Sequence, residues 1–142
     1  MVINMIISVN VKKIGKKIAS VEPTPFEIEG IPTTAEELVT ACVRSCVAAY
    51  NSRIDDREPR WISDDQFAAM AAAGKMAFGL PFSDKKADSN EAVQTALQAF
   101  DDGLFRAFVG ETELESRKQA IKIGENSEVT FIRLTMLAGR IW

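Results

Sequence analysis

The chain has 142 residues, 46% of them hydrophobic and 26% charged, which predicts one globular domain that buries a core without disulfides or metal. Its 17 basic and 20 acidic side chains give a net charge of -3, whereas general nucleic-acid binders usually carry a basic excess. The chain contains no histidine, so it lacks the commonest general base near neutral pH and the imidazole ligands of many metal sites. Nucleic-acid binding, a metal or other cofactor, and the usual forms of acid–base catalysis are therefore not expected.

The amino-terminal segment does not have the pattern of a signal peptide. It has no basic residues ahead of its apolar run and no cleavage site of small residues. No apolar run in the chain approaches the roughly 20 residues that a helix needs to span a bilayer. We therefore expect a cytoplasmic protein that is not attached to a membrane.

Two strands are predicted at the start of the chain. Residues 2–11 alternate between apolar and mostly polar or smaller side chains, which is the period of a strand with one buried face. After the charged turn KKIGKK, a second strand is predicted over residues 18–28. Here Pro23 and Pro25 cannot donate to a ladder and so indicate an edge. The four lysines of the turn could bind an acidic partner or phosphate, or could be solvated charges that deter aggregation.

A long helix is predicted to follow. Two overlapping capping boxes mark its start. They pair Thr33 with Glu36 and Thr34 with Glu37. From there to about Tyr50, apolar residues recur at three- and four-residue spacing and form one continuous stripe. The helix is therefore expected to pack across one face of a sheet.

The two cysteines of the chain, Cys42 and Cys46, lie on this stripe. As a functional pair they would form a redox or metal couple. Side chains one helical turn apart cannot easily reach disulfide geometry without unwinding the helix, and a zinc site would need two carboxylates as its remaining ligands, which is uncommon. We therefore interpret both as reduced thiols in the core, where cysteine is often found.

Two further helices are predicted after a polar loop. A capping pattern at Ser63 begins the first of them, and Gly74 is its natural stop. Asp88 and Glu91 cap the second, which carries an inward apolar stripe and ends at Gly103.

The apolar segment GKMAFGLPF lies between these helices. Its residues Lys75, Met76 and Phe78 are a candidate groove for a protein partner, and the alternative is that the segment completes the core. Lys75 follows a glycine, but the other residues of a phosphate-binding loop are missing. We therefore expect no nucleotide site here.

The last third of the chain has a strand pattern. Residues 104–109 are rich in β-forming side chains and lead through Gly110 to a short continuation at residues 112–114, as in a tight hairpin or bulge. A brief strand at residues 120–123 and a turn at residues 124–126 are predicted next. These elements are expected to be neighbours of the final strand.

The final strand, EVTFIRLTML at residues 128–137, is predicted to lie at the centre of the sheet. Both of its alternating rows are largely apolar, which is typical of a strand that is covered on both faces. It is therefore expected inside the sheet rather than at an edge.

The order strand, strand, helix, strand, short strand, strand resembles that of the β-grasp, and the sequence FRAFVGETELESRKQAIKIGENSEVTFIRL resembles the equivalent part of ubiquitin-like sulfur carriers. This resemblance implies an α+β fold in which a helix crosses a mixed sheet and the first and last strands run parallel at its centre. It implies one domain over residues 1–142, with a β-grasp-like core at 1–54 and 104–142 and a two-helix insertion at 55–103. The tail FIRLTMLAGRIW also resembles small uncharacterised bacterial proteins.

Three functions fit this sequence. The preferred one is a non-catalytic protein-interaction module that holds another protein with its exposed sheet face, its helical insertion or its tail. In the tail, Arg140, Ile141 and Trp142 would contact the partner, since tryptophan and arginine often carry interface energy. Trp142 could instead plug the core of its own domain. The second function is a ubiquitin-like modifier or sulfur carrier, although Arg140 follows Gly139 where those carriers end in Gly-Gly. The third is a histidine-free enzyme, which would need two acids and a lysine in one pocket.

Overall fold

The computed structural model describes residues 4–14, 19–55 and 88–134. Within these residues the chain forms a mixed α+β structure of five strands and two helices. In chain order the elements are β1 (Asn4–Ile14), β2 (Ala19–Glu29), α1 (Ala35–Asp55), α2 (Ser89–Asp101), β3 (Phe105–Val109), β4 (Thr112–Leu114) and β5 (Glu128–Leu134). The α+β class expected from the sequence is confirmed.

The five strands form one sheet in the order β2-β1-β5-β3-β4. β5 pairs in parallel with β1, from Ser8 beside Glu128 to Ile14 beside Leu134, and antiparallel with β3. The prediction that this strand lies inside the sheet, parallel to the first strand, is confirmed. β2 lies at one edge of the described sheet, antiparallel to β1, as its prolines predict.

β1 and α1 are both longer than predicted. β1 continues to Ile14 rather than ending at residue 11. Pairing on both sides explains this, because Lys13 lies beside a residue of β2 and a residue of β5. α1 continues to Asp55 rather than ending near Tyr50, since no glycine or proline follows Tyr50 within this stretch to end the helix.

The strand predicted at residues 120–123 is wrong. One isolated bridge joins Thr34 and Ala120. The backbone immediately before this segment caps the start of α1, because the carbonyl oxygen of Gln119 accepts a hydrogen bond from the N–H of Ala35 at 3.0 Å. The first N–H groups of a helix have no partners within the helix, and this loop supplies acceptors for two of them, those of Ala35 and Glu36.

The hydrophobic core lies between the sheet and the two helices. Alternate residues of the central strands face the helices, and the apolar stripes of α1 and α2 face the sheet. At its centre the Phe105 ring lies 5.8 Å from that of Phe100 and 5.9 Å from that of Phe131. The largest fully buried side chains are Phe26, Phe105, Phe131, Ile7, Ile28, Leu38, Val9, Val11, Val39 and Val43.

α2 begins and ends close to where the sequence predicts. Asp88 is its N-cap, and the carboxylate accepts a hydrogen bond from the N–H of Glu91 at 3.0 Å. Gly103 follows the helix with a φ of 73°, which is a left-handed conformation that glycine adopts without strain. The buried side of α2, including Val93, packs in the same core as α1. The helix predicted from Ser63 lies outside the described residues.

Candidate binding groove

An open groove of about 590 Å³ runs between α1 and the edge strand β2. It is lined by Glu27, Ile28, Glu29, Glu36, Glu37, Thr40, Ala41, Arg44, Ser45 and Ala48. Four of these residues are glutamates, and Arg44 is the one cation among them. The groove therefore combines a negatively charged rim with small apolar contacts.

The strand glutamates border the groove on its β2 side. Phe26 and Ile28 point into the core and are at most 1% exposed. Glu27 and Glu29 point to the other side of the strand and are exposed. Since β2 lies at the edge of the described sheet, Glu27 and Glu29 border the groove along β2, with their side chains on the sheet face opposite the core.

α1 contributes a line of groove residues that recur every four positions, from Glu36 to Ala48, and residues at this spacing lie along one side of a helix. Arg44 belongs to this line. Its Nη1 donates to Ser89 Oγ at 3.1 Å and its Nη2 donates to Asn90 Oδ1 at 3.3 Å. The guanidinium is therefore held towards the start of α2, and the glutamates dominate the charge of the groove.

A hydrogen bond joins the two walls of the groove. Ser45 Oγ donates to the backbone carbonyl oxygen of Glu27 at 2.9 Å, so the backbone of Glu27 faces α1. Residues two apart on a strand direct their backbone groups to the same side, and Pro25 therefore has no N–H to offer on this side. Both features interrupt the ladder that an added strand would form along this edge.

The start of α1 fixes the position of Glu37. Its Oε1 accepts hydrogen bonds from the backbone N–H of Thr33 at 2.8 Å and from the Thr33 hydroxyl at 3.0 Å. These bonds hold the pKa of Glu37 below its ordinary value of 4.5. The N–H of Glu37 donates to Thr34 Oγ1 at 3.3 Å. Of the two hydrogen bonds in the predicted capping box of Thr34 with Glu37, the one from the Glu37 N–H to the Thr34 hydroxyl therefore forms. The Glu37 carboxylate accepts from Thr33 instead of from Thr34.

The other predicted box, Thr33 with Glu36, does not form. The N–H of Glu36 donates instead to the carbonyl oxygen of Arg117 at 2.9 Å. Arg117 pairs with Asp101 at the end of α2, with 3.0 Å from Nε to Oδ1 and 2.6 Å from Nη2 to Oδ2, and this hydrogen-bonded pairing raises the pKa of Arg117. One loop residue therefore connects the start of α1 with the end of α2.

Cys42 and Cys46 are buried and are not joined by a disulfide, as predicted. Burial raises the pKa of the Cys42 thiol from its ordinary value of 9.0 to about 12. Burial also raises the pKa of the Cys46 thiol, and the neighbouring Cys42 adds to this shift. The thiolate is the form of cysteine that attacks electrophiles and binds metals, so neither residue presents a reactive group at neutral pH.

Neither of two grooves formed by the described residues brings together the two acids and the lysine that an enzyme hypothesis requires. The groove between α1 and β2 contains no lysine. A second groove of about 460 Å³ near the end of α2 is lined by Gln94, Thr95, Gln98, Ala99, Asp102, Leu104 and Arg133. The part of the chain that the structure describes also contains no group of three or more cysteine, aspartate or glutamate side chains that could hold a metal ion.

None of the helices in the described ranges is long and apolar enough to cross a membrane.

The partner-binding residues predicted from the sequence lie outside the described residues. They are Lys75, Met76, Phe78, Arg140, Ile141 and Trp142, and Gly139 of the modifier hypothesis lies outside as well. The groove itself was not predicted. Its signal is the segment EIEGIPTTAEE, with four glutamates in eleven residues. Local sequence patterns explain these glutamates as residues of a strand and of a helix cap. The sequence does not show that β2 and α1 lie side by side.

We compared the chain with protein-family models, curated proteins and solved structures. No match was found in any of the three comparisons. A functional proposal for this chain therefore rests on its own residues and their geometry.

Proposed function

We propose that this protein is a non-catalytic interaction module of the ubiquitin-like β-grasp type, which binds a basic, extended segment of a partner protein in the groove between α1 and β2. Two features of the fold support the β-grasp part of the proposal. β1 and β5 are parallel neighbours inside the sheet, and α1 packs across one face of that sheet. The sequence resemblance implies both features.

The charge of the groove carries the proposal. Four glutamates line it, against one arginine whose guanidinium donates to side chains at the start of α2. The lowered pKa of Glu37 keeps its carboxylate ionised into the acidic range. A lysine or arginine side chain of a partner finds complementary charge here, which favours encounter and helps to set the register of binding. An acidic segment is repelled.

The dimensions of the groove favour a short segment. Its volume of about 590 Å³ lies within the range of small-ligand sites, about 300–1,000 Å³, and accommodates a few side chains rather than a folded domain. Ala41 and Ala48 provide apolar contacts between the charged residues. Because Pro25 and the hydrogen bond from Ser45 to Glu27 interrupt strand addition, the segment is held by its side chains.

Binding of a fluorescent lysine-containing peptide tests the proposal, with a glutamate-containing peptide of the same length for comparison. We expect the lysine peptide to bind and its affinity to fall with added salt, because salt screens exposed charges. The double change Glu29→Lys and Glu36→Lys should weaken binding at least tenfold.

The double change Glu111→Lys and Glu125→Lys is the matched control. It alters the net charge of the protein by the same amount, and both residues are exposed and do not line the groove. The control should bind the lysine peptide nearly as well as the wild type. Equal binding of the two peptides, or equal losses in the two double variants, would show that the groove is not the binding site.

A further inference from the structure

A side chain bonds to the backbone at the β4 edge of the sheet. β4 is the outermost strand of the described sheet on the side opposite β2. The backbone carbonyl oxygen of Glu113 accepts a hydrogen bond from Gln119 Nε2 at 3.0 Å. The backbone N–H of Glu115, directly after the strand, donates to Gln119 Oε1 at 2.7 Å. One carboxamide therefore satisfies two backbone groups.

The register of the hairpin formed by β3 and β4 places these groups on the side away from β3. A loop of two residues, Gly110 and Glu111, joins the strands. The ladder therefore closes on a hydrogen-bonded pair of Val109 with Thr112. Bonded and non-bonded pairs alternate along an antiparallel ladder, which directs the carbonyl group of Glu113 to the open side. Another strand would be added on this side.

The carboxamide makes the hydrogen bonds of one residue in a parallel strand. In a parallel ladder, a residue donates to the carbonyl group just before its neighbour and accepts from the N–H group just after it. Gln119 does both to the groups on either side of Leu114. Its own backbone is fixed, because its carbonyl oxygen accepts from the N–H of Ala35 at 3.0 Å and its N–H donates to the carbonyl oxygen of Ser116 at 3.2 Å.

We propose that Gln119 is an autoinhibitory contact that blocks the addition of an extended segment of another chain to the edge of β4. The two bonds are made to backbone atoms, so the excluded segment is one that pairs through its own backbone, in parallel orientation. Such a segment must first displace the carboxamide. Its apparent dissociation constant is therefore raised, because only molecules with an open edge can bind it.

The opposite edge of the described sheet carries a similar contact. There, the hydroxyl of Ser45 bonds to the carbonyl oxygen of Glu27 on β2. Each edge thus has backbone groups bonded by a side chain from another part of the chain, and covered edges protect a sheet from pairing with other chains. The proposed block lies at β4 and the candidate groove lies at β2, so either proposal can fail without the other.

NMR of the backbone amides in the full chain tests this proposal. In Gln119→Ala, the N–H of Glu115 should exchange with solvent at least tenfold faster than in the wild type, because it loses its acceptor. The added strand is a capped peptide of alternating threonine and valine, five residues long. Its dissociation constant, measured from the amide shifts of residues 112–115, should be at least tenfold lower for Gln119→Ala than for the wild type.

An analogue of this peptide with every peptide nitrogen methylated has no N–H to donate and should not bind. Gln94→Ala, at an exposed glutamine on α2, is the matched control and should behave like the wild type. Circular dichroism establishes that each variant is folded.

If Gln119→Ala does not fold, Gln119→Met keeps the length of the side chain, removes both hydrogen bonds and should show the same two effects. The proposal is overturned if the folded Gln119 variants exchange or bind like the wild type, or if the methylated analogue binds equally well. Absence of peptide binding to any variant, up to the solubility limit of the peptide, would also overturn it.

Discussion

The hydroxyl of Ser45 on α1 donates a hydrogen bond of 2.9 Å to the backbone carbonyl oxygen of Glu27 on β2. This bond joins the helix to the edge strand within the candidate groove. Edge strands present backbone groups that can pair with other chains. The hydrogen bond from α1 therefore satisfies one backbone carbonyl group of β2 that would otherwise be available to pair with another chain.

The first prediction concerns this bond. Ser45→Ala should lower the free energy of unfolding by about 0.5–1.5 kcal/mol, the usual net contribution of one such hydrogen bond. Urea denaturation measures the difference. Ser116→Ala, at an exposed serine in the loop before β5, is the control and should change stability by less than about 0.5 kcal/mol. Equal effects at the two serines would mean that the bond contributes nothing specific.

The second prediction concerns the two buried thiols. Cys42→Ala and Cys46→Ala should each cost about 1 kcal/mol of unfolding free energy, because each leaves a small gap in the core. Binding in the groove should be unchanged. Native protein should react slowly with a thiol reagent at both sites, and denatured protein quickly. Rapid labelling of both cysteines in the native state would contradict their burial.

The third prediction is a pH dependence of stability above neutrality. The pKa of the Cys42 thiol is about 12 in the folded protein against an ordinary value of 9.0, so the folded state holds this proton more tightly than the unfolded chain does. The resulting stabilisation is complete below pH 9.0 and is lost as the pH rises towards about 12. The free energy of unfolding, measured by denaturation at a series of pH values, should therefore fall more steeply with rising pH in the wild type than in a variant with both cysteines changed to alanine. Curves of equal slope would count against the prediction.

The fourth prediction concerns Glu37, whose pKa is lower in the folded protein than its ordinary value of 4.5. A carboxylate whose pKa is lowered in the folded protein stabilises the fold at pH values above its ordinary pKa. This stabilisation disappears as the pH falls through the lowered pKa of the folded state. Thr33→Ala removes the hydroxyl donor but keeps the backbone donor. The pKa of Glu37, followed by carboxyl NMR shifts, should therefore rise part of the way towards its ordinary value. An unchanged titration would exclude the hydroxyl as a cause.

The fifth prediction concerns the tail. If Arg140, Ile141 and Trp142 contact a partner, deleting residues 140–142 should abolish partner capture. Tm should then fall by only a few degrees, as expected for a loss of about 1 kcal/mol in a domain of this size. Calorimetry and a pull-down with the intact chain as control measure the two effects. Unfolding on deletion would instead identify Trp142 as part of the core.

Several features of the fold follow from short stretches of sequence. The apolar residues on both sides of β5 predict an interior strand, since a strand covered on both faces needs no polar row. Pro23 and Pro25 place β2 at an edge because proline has no N–H to donate. Asp88 and Gly103 mark the limits of α2 because a carboxylate can cap the first N–H groups and glycine tolerates the left-handed turn after the helix. Each of these signals acts within a few residues.

Other features depend on which elements become neighbours. Residues 120–123 have the side chains of a strand, but the neighbouring backbone bonds to the start of α1, as the hydrogen bond from Ala35 to Gln119 shows. The groove likewise exists only because Glu29 of β2 and Glu36 of α1 line the same space. Side-chain periodicity reports which face of an element is buried and says nothing about the element that buries it. The pairing of distant backbone groups and charges is therefore decided by tertiary packing.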